Sequence, residues 1–278
     1  MAANELPRRH MIMTSLITGF TLATERVEAT EITTSAIGLV AGEVQVPVAD
    51  GVLPGYRAAP EGPGPFPIVI VIEEIFGVHE YIKDICRRLA HLGFFAVAPE
   101  LYARLGDLAH MTDMHKIIGD VISKAPDAQM MQDLDATAAY AATQGGDPSR
   151  LVVTGFCRGG RQVWLYAAHN PKLRAAVAWY GPLSGTRTSV QPQTELDVAG
   201  HIYCPLLALY GGLDKGIPPA DREAAQKAAD DAGKYVQMVV YPDAAHGFHA
   251  DYRPSYNPSA AKDGWKRMLA FFKANGVG

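Results

Sequence analysis

One cysteine lies between two glycines at the point where a predicted strand meets a predicted helix. Residues 155–159 read Gly-Phe-Cys-Arg-Gly, directly after the apolar run 151–156. A nucleophile on such a tight strand-to-helix turn projects from the edge of the sheet, and small flanking residues avoid clashes around it. The positive end of the helix favours a thiolate. This context predicts that Cys157 is a nucleophile; the alternative is a buried structural thiol.

An acid and a histidine follow two later predicted strands. Asp214 comes after strand 206–210, and His246 comes after strand 236–241. The order nucleophile, acid, histidine is the one expected when three catalytic residues share one sheet edge. Asp214 would orient the imidazole and stabilise the imidazolium. Asp214 could instead serve only a turn or a helix cap.

His249 is the other candidate histidine in the same loop. It could instead be a surface residue or a second polar group beside His246. The spacing of three residues also allows a metal pair, but no third ligand accompanies them. We therefore expect no metal site and no cofactor.

Two consecutive carboxylates, Glu73 and Glu74, follow the solid apolar run 67–72. Carboxylates at the end of a buried strand are costly unless they are paired, so a role is expected for them. The backbone N–H of Ile75, in the same loop, is positioned to bind an oxyanion together with the N–H of Arg158. The alternative is that both acids are solvated or cap the next helix.

The elements that must position these residues alternate between strand and helix. Such alternation predicts an α/β fold with a mostly parallel central sheet and helices on both faces. The carboxyl ends of its strands meet at one edge, where ligands bind. The predicted strands are 43–48, 55–59, 67–72, 94–98, 151–156, 175–180, 206–210 and 236–241. The predicted helices are 80–92, one around 114–124, 127–144, 159–169, 220–232 and 260–274.

Composition narrows the class of protein. The chain has 278 residues, 48% of them apolar and 19% charged, with a net charge of −4. These values are typical of a globular domain, and the chain lacks the basic stripe that a nucleic-acid-binding surface needs. Cys86 and Cys204 are predicted to be buried free thiols because their spacing fits neither a zinc site nor a redox pair.

The N-terminus resembles an export signal. Arg8 and Arg9 precede a mildly apolar stretch, 11–23, and residues 27–29 resemble a small-x-small cleavage site. Residues 1–29 are therefore predicted to be a twin-arginine-type signal read by the twin-arginine export machinery, which would place the protein in the periplasm or outside the cell. The alternative is a disordered arm on a cytoplasmic protein. The stretch is too short to span a bilayer, so no stable membrane insertion is expected, and residues 30–278 are predicted to form a single domain.

These motifs together resemble the dienelactone hydrolases, or carboxymethylenebutenolidases, of the α/β-hydrolase superfamily. The resemblance covers roughly residues 40 to 275 and implies a triad of Cys157, His246 and Asp214. It also implies that Glu74 holds the resting thiol and takes its proton when substrate arrives; burial, which raises the pKa of a carboxyl, would make Glu74 a competent base. The strings that carry the resemblance are 74–77 (EIFG), 99–104 (PELYAR), 155–157 (GFC), 179–181 (WYG), 211–214 (GGLD) and 246–248 (HGF).

The chain departs from the family pattern in its arginines. The family binds the substrate carboxylate with two arginines, one in the long connection after strand 94–98 and one four residues past the triad histidine. Residues 106–126 contain no arginine, and the second position is Ala250. Arg253, Arg104 and Arg158 are the candidate substitutes. Loss of a bidentate clamp removes much of the specificity for a carboxylate.

The leading hypothesis is an enzyme that cleaves a small ester or lactone through an acyl-enzyme on Cys157. A broad carboxylesterase or thioesterase that does not act on dienelactone is the first alternative. A non-catalytic binding protein on the same fold is the second. Both enzymatic hypotheses predict a small-molecule substrate as the partner, in addition to the export machinery. The oligomeric state is open.

Overall fold

The computed structural model describes residues 32–278 and confirms the predicted α/β class. Eight strands form one sheet in the order β1-β2-β4-β3-β5-β6-β7-β8. The strands are β1 (Leu39–Val48), β2 (Gly51–Pro60), β3 (Phe66–Ile72), β4 (Phe95–Pro99), β5 (Gly146–Phe156), β6 (Ala175–Trp179), β7 (Leu206–Gly211) and β8 (Val236–Tyr241). The buried apolar runs predicted as central strands are the central strands.

The sheet is parallel except at one edge. β1 and β2 form an antiparallel hairpin, and β2 pairs antiparallel with β4. The six remaining strands run parallel to one another from β4 to β8. The carboxyl ends of β3, β5, β7 and β8 therefore meet at the same edge, as the sequence predicted.

Within residues 32–278, five long helices cover the sheet, and their bounds agree with the predicted ones to within two residues. Gly93, just past the first helix, has a φ of 93°, as expected for the glycine that ends a helix. The helices are α1 (Glu80–His91), α2 (Asp127–Thr143), α3 (Arg158–His169), α4 (Pro219–Asp231) and α5 (Pro258–Ala274).

The helix predicted around 114–124 is broken into three short pieces. A helical turn at Met114–Lys116 is followed by a π-turn at Ile117–Val121 and a 3₁₀ turn at Ile122–Lys124. β-branched residues and Gly119 are weak helix formers in this stretch, and the Ser123 hydroxyl donates to the Gly119 carbonyl. A second short helical segment, at Glu195–Val198 and Ala199–His201, precedes β7 and has no counterpart among the predicted elements.

Cys157 lies on the turn between β5 and α3 in a left-handed backbone conformation, with a φ of 54°. The turn requires its two glycines. A Cβ on Gly159 would lie 2.4 Å from the Ile72 carbonyl oxygen, and one on Gly155 would lie 2.5 Å from the Gly159 oxygen. β5 pairs with β3 so that Gly155 lies opposite Ile72, which brings the loop after β3 next to the cysteine.

The export signal predicted at residues 1–29 lies outside the described residues. Between residues 32 and 278, no helix combines the length and the apolar character that crossing a membrane requires.

Replacing Gly159 with alanine is expected to destabilise the fold by about 2 kcal/mol or more, because the new methyl group would overlap backbone that cannot move away. Urea denaturation measures this free energy of unfolding. The matched control is Gly119→Ala, where an added Cβ meets nothing within 4 Å. Equal stability of the two variants would contradict the close approach of β3 to the cysteine turn.

Candidate active site

The three predicted triad residues lie side by side at the carboxyl edge of the sheet. The His246 Nε2 atom is 3.2 Å from the Cys157 Sγ atom. The His246 Nδ1 atom is 2.7 Å from the Asp214 Oδ2 atom. β5, β7 and β8 each deliver one member, so the parallel register of these strands sets the spacing.

Asp214 is held so that it can orient the imidazole. One carboxylate oxygen accepts from His246 Nδ1, and the other accepts from the backbone N–H of Gly216 at 2.9 Å. The bond between His246 Nδ1 and Asp214 places the Nδ1 proton toward the acid and leaves Nε2 facing the thiol. Cys157 and Asp214 are buried, whereas the His246 side chain keeps 17% of its surface exposed. The arrangement can pass a proton between the thiol and the imidazole.

The environment of His246 favours its protonated form. Burial alone would lower the pKa of the imidazole, but the negative charge available at Cys157 and the hydrogen bond to Asp214 outweigh it and raise the pKa to about 10. A cationic histidine beside the cysteine is what stabilises a thiolate.

Tyr180 is a site residue that the sequence did not assign. It directly follows β6 with a φ of 39°, and its ring packs edge-on against His246, with 5.2 Å between ring centroids. Its N–H donates to the Leu209 carbonyl, while the Cys157 N–H donates to the Trp179 carbonyl. Tyr180 therefore limits the positions that the imidazole can adopt. The string 179–181 marked the family, but nothing in it pointed to this contact.

Glu74 is buried beside the site, but its partners differ from those predicted. Arg253 Nη2 lies 3.1 Å from one oxygen, and the Tyr252 hydroxyl donates to the other. Burial raises the pKa of the carboxyl, yet the charge of Arg253, the His79 imidazole with its Nε2 atom 3.9 Å away, and the hydrogen bond from Tyr252 lower it to about 2. The predicted raised pKa is therefore wrong, and the thiol is hydrogen-bonded to His246.

Aromatic rings surround this ion pair. The Arg253 guanidinium lies 5.1 Å from the centroid of Phe76 and 5.4 Å from that of Tyr252. The His79 ring packs against Tyr252 with 4.8 Å between centroids. Arg253 and Glu74 are almost fully buried, so the pair lies in a medium where each charge depends on the other.

The three candidate substrate-binding arginines lie in different surroundings. Arg104 forms ion pairs with Asp50 at 2.6 Å and with Asp133 at 2.7 Å, and so connects the β1–β2 turn to α2. The prediction that Arg104 binds substrate is therefore corrected to a structural role. Arg253 is committed to Glu74. Arg158 donates through Nη2 to Gln191, and its Nε is buried without a hydrogen-bond partner among residues 32–278.

The two predicted oxyanion donors lie in the loop after β3 and at the first residue of α3. Ile75 lies three residues past the end of β3 and is buried. Arg158 is the first residue of α3, so its N–H has no carbonyl acceptor within the helix. Both backbone groups belong to segments that the cysteine turn contacts directly.

His249 is buried, which excludes the surface position considered for it. Its Nδ1 is hydrogen-bonded to the Tyr81 hydroxyl at 2.7 Å. Its ring packs against the Trp179 ring, with 4.5 Å between ring centroids. Burial lowers its pKa to about 3, and the nearby Arg88 charge adds to this, so the imidazole is neutral. Among residues 32–278, no group of three histidines, cysteines or carboxylates is placed to hold a metal ion.

Known proteins resemble this chain in sequence and in fold. The family model of the dienelactone hydrolase family matches residues 53–276. A Methylorubrum extorquens protein named "Putative carboxymethylenebutenolidase" is 55% identical over 278 residues, covering 99% of this chain and 96% of its own. A Bradyrhizobium protein named "Probable 2-oxo-3-(5-oxofuran-2-ylidene)propanoate lactonase" is 30% identical over 220 residues, covering 78% and 88%. The crystal structure of a "Putative Dienelactone Hydrolase" from Klebsiella pneumoniae superposes with a TM-score of 0.83 at 50% identity, covering 84% and 98%.

Replacing one member of the buried Glu74–Arg253 ion pair is expected to lower the free energy of unfolding strongly, because the other charge is left buried without a partner. Glu74→Gln leaves the Arg253 charge unpaired, and Arg253→Met does the same to Glu74, so each should lower the free energy of unfolding by about 3–5 kcal/mol. The double variant should lose less than the sum of the two. Urea denaturation measures all three, with Glu61→Gln on the exposed surface as control. Strict additivity would show that the pair is not coupled.

Proposed function

The chain belongs to the dienelactone hydrolase family, and on this premise we propose that it hydrolyses a small ester or lactone through a Cys157–His246–Asp214 triad. The observation that carries the proposal is the continuous pair of hydrogen bonds from thiol to imidazole to carboxylate, at 3.2 and 2.7 Å. Both distances suit proton transfer and orientation without rearrangement. This geometry is the specific argument against a binding protein that only shares the fold.

The reaction follows from the geometry. Cys157 Sγ, whose proton His246 Nε2 already holds, attacks the ester carbonyl carbon, and the resulting oxyanion accepts from the N–H groups of Ile75 and Arg158. The C–O bond then breaks, and His246 gives its proton to the departing alkoxide, which stays attached if the substrate is a lactone. Water, deprotonated by His246, attacks the carbonyl carbon of the thioester; the C–S bond then breaks, the carboxylic acid leaves, and the Cys157 sulfur is restored beside a protonated His246.

We assign Glu74 to positioning rather than to taking the thiol proton. A carboxylate whose pKa is about 2 is a weak base, and both its oxygens already accept hydrogen bonds. Its contribution is to hold Arg253 and Tyr252 in the wall of the site. The role implied by the family resemblance would require this ion pair to open first.

The arginines favour a substrate without a free carboxylate. Arg104 and Arg253, two of the three substitutes for the family clamp, are each bound to protein carboxylates. Binding a second carboxylate would require breaking ion pairs that are partly or fully buried. This observation supports the second candidate function, a broader carboxylesterase or thioesterase for which dienelactone is a poor substrate.

Replacing Cys157 with alanine should abolish turnover and leave the fold intact, because the nucleophile is lost and only a small side chain is removed. The expected loss in kcat for an aryl ester is at least about a thousand-fold. Intact-protein mass spectrometry should show an acyl adduct in the wild type and none in the variant.

The matched control is Cys204→Ala, which removes another buried free thiol. It should retain both turnover and the adduct. The proposal would be wrong if Cys157→Ala kept its turnover, or if the acyl adduct formed on another residue.

A further inference from the structure

The loop between β8 and α5 is attached to α1 as well as to the active site. It carries His246 of the triad and Arg253 of the buried ion pair. Between them lies Asp251, which takes no part in the reaction and is only 3% exposed. Its Oδ2 atom is 3.3 Å from Arg88 Nη2 on α1. Burying such a carboxylate is costly unless its contacts stabilise it, so the partners of Asp251 show what the burial achieves.

The segment 32–36, which we call the strap, lies along α1 and reaches the same carboxylate. The Ile32 N–H donates to Asp251 Oδ2 at 3.1 Å. Two residues further on, Arg87 Nε of α1 donates to the Thr34 carbonyl at 2.8 Å. The strap is therefore bonded through its backbone both to α1 and to the loop that carries His246. Backbone contacts of this kind leave no pattern in the sequence.

Burial of apolar side chains does not account for the position of the strap. Ile32 is 46% exposed, and Ile37, just past the end of the strap, is 86% exposed. The side chains that the strap contacts, by contrast, are buried: Asp84, Arg87 and Asp251. Hydrogen bonds to buried polar groups therefore hold the strap in place, and such bonds are costly to break because they leave a buried group without its partner.

Asp84 and Arg88 lie one turn apart on α1 and share this network. Arg88 Nη2 is 2.5 Å from Asp84 Oδ2 and 3.3 Å from Asp251 Oδ2, so one guanidinium serves two buried carboxylates. The strap adds a backbone donor to each, from Thr34 to Asp84 and from Ile32 to Asp251. Burial raises the pKa of Asp251, and the Ile32 N–H and the Arg88 charge oppose that shift. The strap thus helps to keep a charged Asp251 at a buried position.

Asp251 is coupled to the catalytic groups through a short stretch of loop with hydrogen bonds of its own. The Ala250 N–H donates to the Gly247 carbonyl at 2.9 Å, and the Arg253 N–H donates to the Ala250 carbonyl at 3.0 Å. A Cβ on Gly247 would lie 2.9 Å from Arg253 Cδ, so Arg253 packs against the residue that follows His246. In a stretch packed this closely, a shift at Asp251 is passed on to both ends.

We propose that Asp251 is a positioning residue: held by Arg88 and the strap, it fixes the loop so that His246 stays beside Cys157. The inference rests on the proposed function, because it assigns His246 to the reaction of Cys157. It also gives the strap a part in activity, since the Ile32 N–H is bonded to Asp251. A displacement of about 1 Å in a catalytic group lowers a rate by up to about 100-fold.

The test begins with Asp251→Ala, which leaves Arg88 paired with Asp84, so no buried charge loses its partner. For an aryl ester, kcat should fall about 10-fold while KM changes by less than about two-fold. Alkylation of Cys157 by iodoacetamide at pH 7, followed by mass spectrometry, should also slow about 10-fold, because a displaced histidine no longer stabilises the thiolate. A purely structural role would lower the melting temperature and leave both rates of the folded protein unchanged. The matched control is Asp243→Ala, an exposed carboxylate after β8, which should keep the wild-type rates.

A second pair of variants tests the strap. Ile32→Pro removes the N–H that donates to Asp251, whereas Ile32→Ala removes the side chain and keeps the N–H. The proline variant should lose about 3- to 10-fold in kcat, the effect of one hydrogen bond, and the alanine variant should match the wild type. In a protein that already carries Asp251→Ala, Ile32→Pro should have no further effect, because its acceptor is gone.

Wild-type kcat and alkylation rate in Asp251→Ala would overturn the inference, as would equal effects of proline and alanine at position 32. Melting temperatures set an assay temperature at which the variants are folded; if Asp251→Ala does not fold, the two Ile32 variants decide. If hydrolysis by the wild type does not depend on Cys157, the proposed function fails. An alkylation rate that depends on Asp251 would still support the placement of His246 in that case.

Discussion

The left-handed backbone at Cys157 is the constraint on which the rest of the site depends. A non-glycine residue at a φ of 54° is unfavourable and persists only where neighbouring structure holds it. The close approach of β3 to Gly159 and the bond from the Cys157 N–H to the Trp179 carbonyl provide that support. The same contacts bring the start of the loop after β3, Tyr180 and the start of α3 next to the cysteine turn. The turn thus positions Cys157, the candidate oxyanion donors and the wall of the site together.

Burial around this turn decides how charge is distributed. Cys157, Glu74 and Arg253 are almost completely removed from solvent, so each ionised group needs a nearby partner. Asp214 and the cysteine supply one for His246, and Arg253 supplies one for Glu74. An arginine committed in this way is not available to a substrate carboxylate. The chemistry common to the family and the identity of its substrate are therefore separable in this chain.

The sequence by itself determined the parallel sheet, the five long helices within residues 32–278, and the convergence of Cys157, Asp214 and His246 at one edge of the sheet. Local signals suffice for these, because β-branched runs mark buried strands, helical periodicity marks helices, and parallel strands deliver their ends to one edge. It did not determine the broken helix at 114–124, the partners of Arg104 or the low pKa of Glu74. Glu74 and Arg253 are 179 residues apart in the chain, and only the folded structure brings them to 3.1 Å. Burial alone predicts a raised pKa, and a charge delivered by tertiary packing reverses it.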